Sequence, residues 1–491
     1  MTTPPTAVQV TDDDRRSIVI GALLCMFLAA LDQTIVAPAL PTIGATLGDP
    51  AWLSWVISAY FLTATAVTPL YGKLADLRGR RPVLFAAVGI FLVGSVICAV
   101  APSMGVLIAG RAVQGLGGGG LIALAQTIIA DVVAPRERSR YIAFISGVWA
   151  AASLAGPVVG GVFAEHVHWS LIFWINLPLG AIALVLSERA LRKLPTIRRE
   201  HALDWLGALL VVCATVALML AMTWGGVRYA WTSLEIVGLV LAAAALFTAF
   251  AFHLLRVEEP LLPPRVLRNP VIAAASTSLF FSMTAGIGLS VFIPVYFELV
   301  QGMGPAQAGA ALVVYMASTV VGANLTGRYM GRAEHYKIAA VGGSALAMLG
   351  LLVLAVVVPS ASVWTVQTLI AVIGIGLGSQ YPVTTVSVQN AAEQRDLGVA
   401  TAALSFLRSL GSVIGVALLG AILIGLGVVD SIGEASGPLR HDPAAAAAAA
   451  EAFRWVFGAC AVTQLVATGF MMLMEERPLR SGRTAPPPVT E

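Results

Sequence analysis

The chain has 491 residues, of which 58% are hydrophobic and only 11% charged, against about 25% charged in an ordinary soluble domain. That composition excludes a water-soluble globular protein. A net charge of +3, spread along the chain, gives no footing for nucleic acid.

A bilayer span takes roughly 20 apolar residues. Fourteen such runs follow one another, at 18–40, 53–72, 83–101, 104–130, 141–163, 169–187, 203–223, 234–255, 271–298, 306–327, 337–358, 362–387, 400–427 and 453–474. The polar, acidic segment 1–17 and the length of the first run predict a cytoplasmic N-terminus and an uncleaved anchor, not a signal peptide. Asp32 lies inside the first run. A carboxylate at membrane depth is expensive and survives where it faces water or a partner. Arg111 lies inside the fourth run, about 12 Å from its outer end, and Asp32 about 13 Å from the outer end of the first. The two charges therefore share a depth. Arg408 is the third charge within a run. Of the 29 Lys and Arg, all but Arg111, Arg228, Arg408, Arg440 and Arg454 fall on one side of this topology, so the positive-inside rule puts both termini in the cytoplasm.

The loop after the second run, Gly72-Lys-Leu-Ala-Asp76-Leu-Arg78-Gly79-Arg80-Arg81-Pro82, has a faint echo in Gly327–Arg332. Repeated halves are typical of secondary transporters. A basic segment at 188–204, two further runs and a second inner segment at 256–269 separate the halves. The expected units are a cytoplasmic N-terminus at 1–17, a six-helix half at 18–187, a central segment with two extra spans at 188–270, a second six-helix half at 271–474 and a disordered, Pro-rich cytoplasmic tail at 475–491. Asp442-Pro443 before seven alanines predicts that the last helix starts outside the membrane. Cys25, Cys98, Cys213 and Cys460 have no disulfide-framework or metal-ligand spacing. His166 and His168, beside Glu165, read as solvated loop histidines.

Several stretches together resemble the fourteen-span drug:proton antiporter branch of the major facilitator superfamily. They are Leu31-Asp32-Gln33-Thr34-Ile35-Val36 with Ala39-Leu40-Pro41, the Gly72–Arg81 loop, Arg111-Ala-Val-Gln114-Gly115 with Gly117–Gly120, and Gly156-Pro157-Val-Val-Gly160-Gly161. Phe173–Gly180, and Gln389-Asn390-Ala391 with Gly398–Thr401, complete the set. Ala37 and Pro38 depart from the usual pattern. The resemblance implies an all-α integral membrane protein with a major-facilitator-like fold, two six-helix halves plus two extra central helices. It implies a proton-coupled antiporter of the bacterial cytoplasmic membrane that exports amphipathic or cationic small molecules. The alternative is an exporter of an endogenous metabolite or lipid. The expected partners are that substrate, protons and the lipid bilayer, with no cofactor and no metal, acting as a monomer. No nucleotide-binding Gly-x4-Gly-Lys-Ser/Thr and no hydrolase or zinc motif is present in the sequence, against an ATP-driven pump or an embedded enzyme.

Asp32 and Arg111 are the proton-coupling candidates, with Glu298 as a third. The competing readings are an Asp32 bonded to hydroxyls such as Thr34, an Arg111 bonded to backbone carbonyls, and a Glu298 that is a solvated rim acid. Gly72, Asp76, Arg78, Gly79 and Arg80 form the expected inner gate, with Asp76 meeting the N-terminus of span thirteen near Gly398. Gly156, Pro157, Gly160 and Gly161 form the expected hinge or a plain packing face. Gln33, Gln114, Tyr296, Gln389, Asn390 and Arg408 are the cavity candidates, Arg408 alternatively snorkelling to lipid phosphate.

Overall fold

A computed structural model of the chain describes residues 12–48, 52–133, 135–192, 203–226, 228–303, 305–426 and 443–479. Its long helices are α1 Asp12–Ile35, α2 Leu53–Arg78, α3 Arg80–Ala99, α4 Met104–Val132, α5 Pro135–His166, α6 Asn176–Leu191 and α7 Trp205–Trp224. They continue as α8 Leu234–Leu254, α9 Pro270–Leu299, α10 Pro305–Met330, α11 Lys337–Val357, α12 Val363–Ala391, α13 Leu397–Gly425 and α14 Pro443–Leu473. Among the described residues, 13 helical segments are long and apolar enough to cross a membrane. The 26 residues of α2 are also long enough to span. Its polar side chains turn towards protein rather than lipid. Thr63, Thr68 and Tyr71 donate to the carbonyls of Ala112, Gly119 and Leu116 on α4, at 2.9, 3.0 and 2.7 Å.

Other boundaries follow local chemistry. The first helix starts at Asp12, so residues 12–17 are its opening turns and not a free segment. It ends at Ile35, and a short turn, Ala37–Ala39, leads into Leu40–Leu47. Pro38 and Pro41 are the second residues of these two pieces, within the first turn, where a missing N–H costs nothing. Gly79 alone separates α2 from α3 and takes φ +91°, a conformation that favours glycine. The sixth run breaks at Trp174, and α6 restarts at Asn176.

The packing repeats itself. In α1–α6 the first helix packs on the fourth, fifth and sixth, the second on the fourth, and the third on the fourth and sixth. In α9–α14 the same ordinal pairs are in contact. The two groups meet through α2 against α13 and α5 against α10, while α7 and α8 pack on each other and α7 touches α2 and α13. Asp204 caps α7 by accepting from Gly207 N at 2.7 Å, and it also accepts from Leu261 N at 3.1 Å.

The expected disordered tail is partly corrected. Glu476 accepts from Lys337 N at 2.8 Å, Arg477 O from Tyr336 Oη at 2.8 Å and Pro478 O from Asn390 Nδ2 at 3.2 Å. These bonds tie the start of that segment across the ends of α11 and α12. Residues 1–11, 193–202, 427–442 and 480–491 lie outside the described residues, and with them Asp442, Arg440 and most of the 188–204 segment.

A reporter active only in the cytoplasm is expected to work when fused after Glu491 and to be silent when inserted at Gly226, between α7 and α8. The reverse pattern would invert the topology drawn from the basic residues.

Candidate functional site

Asp32 is fully buried near the end of α1, and Arg111 is 1% exposed. Arg111 and Gln114 lie three residues apart on α4 and so share a face. Arg111 Nη1 donates to Asp32 Oδ2 at 2.7 Å and to Gln114 Oε1 at 2.6 Å. Gln114 Nε2 donates to Asp32 Oδ1 at 2.8 Å and to Ser95 Oγ on α3, also at 2.8 Å. Asn176, the first residue of α6, donates to Asp32 Oδ1 at 3.1 Å. Arg111 Nε donates to Val56 O of α2 at 2.9 Å, and its guanidinium lies 4.4 Å from the centre of the Tyr60 ring. One ion pair thus ties α1, α2, α3, α4 and α6 together. Thr34 does not bond Asp32; it donates to Ala152 O on α5 at 2.9 Å. Asn176 Oδ1 and Tyr60 Oη, both buried beside the pair, have no hydrogen-bond partner among the described residues.

The second constellation lies at the opposite end of α2. A Cβ on Gly72 would run into Ala402 and lie 2.6 Å from Gly398 O, so glycine is what lets α2 and α13 touch. Asp76 Oδ1 accepts from Gly398 N at 3.1 Å and Oδ2 from Val399 N at 2.8 Å. A carboxylate here meets the unsatisfied N–H groups and positive dipole end of α13. Arg80 Nη1 donates to Asp76, and Arg80 Nε to Asp131 Oδ2 at 2.9 Å. Asp131 in turn accepts from Gln394 Nε2 at 2.8 Å. Arg265 holds Asp396, just before α13, with two bonds of 2.9 and 3.0 Å. Gln126 on α4 donates to Tyr381 Oη on α12 at 2.5 Å. Arg78 is exposed and forms no ion pair among the described residues. Arg81 pairs instead with Glu188, donating from Nε at 2.8 Å.

The glycine-proline motif divides. A Cβ on Gly156 would collide with Thr34 Oγ1, and one on Gly160 with Ile35 O, so both fit α5 onto α1. Pro157 is exposed, and a Cβ on Gly161 would meet nothing within 4 Å. Gln33 is half-buried beside Asp32. Tyr296 is corrected from cavity wall to core: it is fully buried against Phe297, Phe453 and Phe457, with ring centres 5.3 to 5.8 Å away, and its Oη accepts from Gln301 at 2.9 Å. Asn390 is likewise corrected, since its amide holds Pro478 O at the helix end. Gln389 is buried near that end of α12. Glu298 is half-buried near the end of α9 and forms no ion pair among the described residues. Arg408 is half-buried, 6.0 Å from the Trp149 ring centre and 5.9 Å from that of Tyr381. His168 Nδ1 lies 2.8 Å from Ser170 Oγ, and no cluster of His, Cys, Asp or Glu suited to a metal occurs among the described residues.

Sequence reasoning did not single out Ser95, Asn176, Asp131, Arg265, Gln394 or Asp396. Asn176 stands within a quoted motif, and Asp396 stands just ahead of a helix start. Ser95 carries no signal, since a lone serine in an apolar run is ordinary.

A family model for the Major Facilitator Superfamily matches residues 22–416, and this multi-pass membrane chain belongs to that family. It is 34% identical over 407 residues to Multidrug resistance protein 3 of Bacillus subtilis, covering 82% of this chain and 79% of that protein. An uncharacterized MFS-type transporter of Mycobacterium tuberculosis is 36% identical over 434 residues, and there the match covers 86% of this chain but only 62% of that longer protein. Among solved structures, the human organic anion transporter MFSD10 aligns with a TM-score of 0.66 over 96% of this chain and 100% of that one, at 17% identity. That last likeness speaks for the fold alone.

Breaking a buried ion pair costs about 3–5 kcal/mol, and the two halves of this one should fail differently. Arg111→Ala leaves a carboxylate that can take a proton, so its melting temperature should recover as pH falls. Asp32→Asn leaves a guanidinium that cannot shed one, so its loss should persist. Equal pH dependence in both variants would contradict the pairing. Asp76→Asn should weaken the α2–α13 contact by about 0.3–2 kcal/mol. Spin labels at Arg78 and Arg395 should then show a new, longer separation that the wild type lacks; an unchanged distance distribution would refute a holding role for Asp76.

Proposed function

We propose that this chain is a proton-coupled antiporter that exports amphipathic or cationic small molecules across the bacterial cytoplasmic membrane as a monomer, with both termini inside. The observation that carries this reading is the fully buried Asp32–Arg111 pair. The printed name of the Bacillus subtilis relative is consistent with drug efflux.

The mechanism follows from what a proton does to that pair. Ionised, Asp32 accepts from Arg111, Gln114 and Asn176 at once and holds five helices in one arrangement. Protonated, it loses its charge and one acceptor position, and Arg111 is left with neutral partners, Gln114, Val56 O and the rings of Tyr60 and Phe173. The helices are then free to shift. Because α2 carries Val56 beside the pair and Asp76 at the gate, a shift of α2 moves both ends. Alternation between gate-shut and gate-open arrangements, with a substrate held between the halves, is the rocking motion of secondary transporters. A proton arriving from outside while the inner gate is shut displaces the substrate and frees the helices to open that gate, and substrate binding from inside expels the proton and restores the pair.

In reconstituted vesicles, the wild type should concentrate an amphipathic dye against its gradient when a pH gradient is imposed. Asp32→Asn should bind the dye and exchange it downhill but should not concentrate it. Uphill export at wild-type rate by Asp32→Asn would place proton coupling elsewhere.

A further inference from the structure

Arg408 is a charge for which the proton-coupling pair has no use. It lies eleven residues into α13, about 16 Å from the end that Asp76 caps, and Tyr381 lies about 15 Å from the corresponding end of α12. Half of a hydrocarbon core of about 30 Å is the same depth. The guanidinium therefore sits near the bilayer midplane, too deep to reach a phosphate on either surface. It points between Trp149 on α5 and Tyr381 on α12, that is, between the two packing groups. Among the described residues, the acid placed deep within a span is Asp32, already paired with Arg111. Arg408 forms no ion pair and no side-chain hydrogen bond among the described residues, and it is only half-buried. An uncompensated cation at this depth is costly and marks a functional site.

We propose that Arg408, Trp149 and Tyr381 form a subsite for the acidic head of an aromatic substrate, a carboxylate or sulfonate carried on a planar ring system. The proposal rests on the export reading above and narrows its amphipathic substrates, favouring acids over cations of equal size. The guanidinium's fork of N–H groups matches a carboxylate in a bidentate way. The two rings offer the faces on which an aromatic body stacks. They come from opposite packing groups, and Tyr381 is itself held by Gln126 across the same divide. A ligand here touches both groups, so its binding responds to their relative movement.

The test uses the full chain in phosphatidylcholine nanodiscs and three probes of one shape: 2-naphthoate, 2-naphthamide and 2-naphthylmethylammonium. Wild type should bind naphthoate at least about tenfold more tightly than the amide, the gain expected of a hydrogen bond to a charged group, and bind the ammonium least. Arg408→Gln should lower naphthoate affinity to that of the amide. Arg408→Lys, a point charge without the fork, should keep part of the preference and serves if the glutamine variant does not fold. Equal affinity for all three probes in the wild type would overturn the proposal, as would a preference unchanged in Arg408→Gln. Displacement of naphthoate by added phosphatidylglycerol would assign the site to a lipid headgroup and also overturn it. Proton-driven export by the wild type is read separately. Absent export with the acid preference intact defeats the export reading alone, and export without the preference defeats this one alone.

Discussion

The ion pair of Asp32 and Arg111 constrains the rest of the first packing group. Neither charge is tolerable alone at that depth, so each helix around them has to supply something. The α4 helix gives Arg111 and Gln114, α3 gives Ser95, α6 begins with Asn176, and α2 turns Val56 O and Tyr60 inward. A buried pair is weak evidence for stability, because desolvation offsets most of the attraction. Its persistence inside an apolar run is better explained by use. The same geometry that makes the pair costly makes its protonation a large local event.

The inner constellation obeys a different logic. It is built from a carboxylate on a helix N-terminus, two glycines that permit contact, and a chain of polar groups from Arg80 through Asp131 to Gln394. Each link is modest, of the size that a helix-end charge or an exposed ion pair contributes. The segment between α8 and α9 supplies Arg265, whose hold on Asp396 fixes the turn from which α13 starts. The ion-pair site and the Asp76 constellation share one helix, α2. That helix turns its hydroxyls onto protein, with Thr63, Thr68 and Tyr71 all donating to carbonyls of α4.

Much of this was legible in the residues. Single charges in apolar runs identify themselves, so Asp32, Arg111 and Arg408 stood out without a structure, and span counting put the first two at one depth. The loop at Gly72–Arg81 was conspicuous as a dense run of glycine and charge. What the sequence hid was of two kinds. Ser95 and Asn176 are small polar residues of the sort membrane helices tolerate anywhere, and only proximity to Asp32 gives them meaning. Arg265 and Asp396 are separated by 131 positions, and pairing at that distance has no local pattern. Tyr296 misled for the opposite reason: an aromatic residue looks the same from sequence whether it lines a cavity or, as here, packs against Phe453 and Phe457. The start of the tail misled through composition, since a proline-rich segment was expected to be free while its backbone carbonyls are taken by Tyr336 and Asn390.

The central claim is that Asp32 gives up a proton when substrate binds. Infrared difference spectroscopy on the reconstituted protein, with carbon-13-labelled aspartate, reads this directly. At a pH where Asp32 is protonated, adding substrate should remove one protonated-carboxyl band from the wild type and none from Asp32→Asn. A band lost equally in both proteins, or lost in neither, would contradict the account.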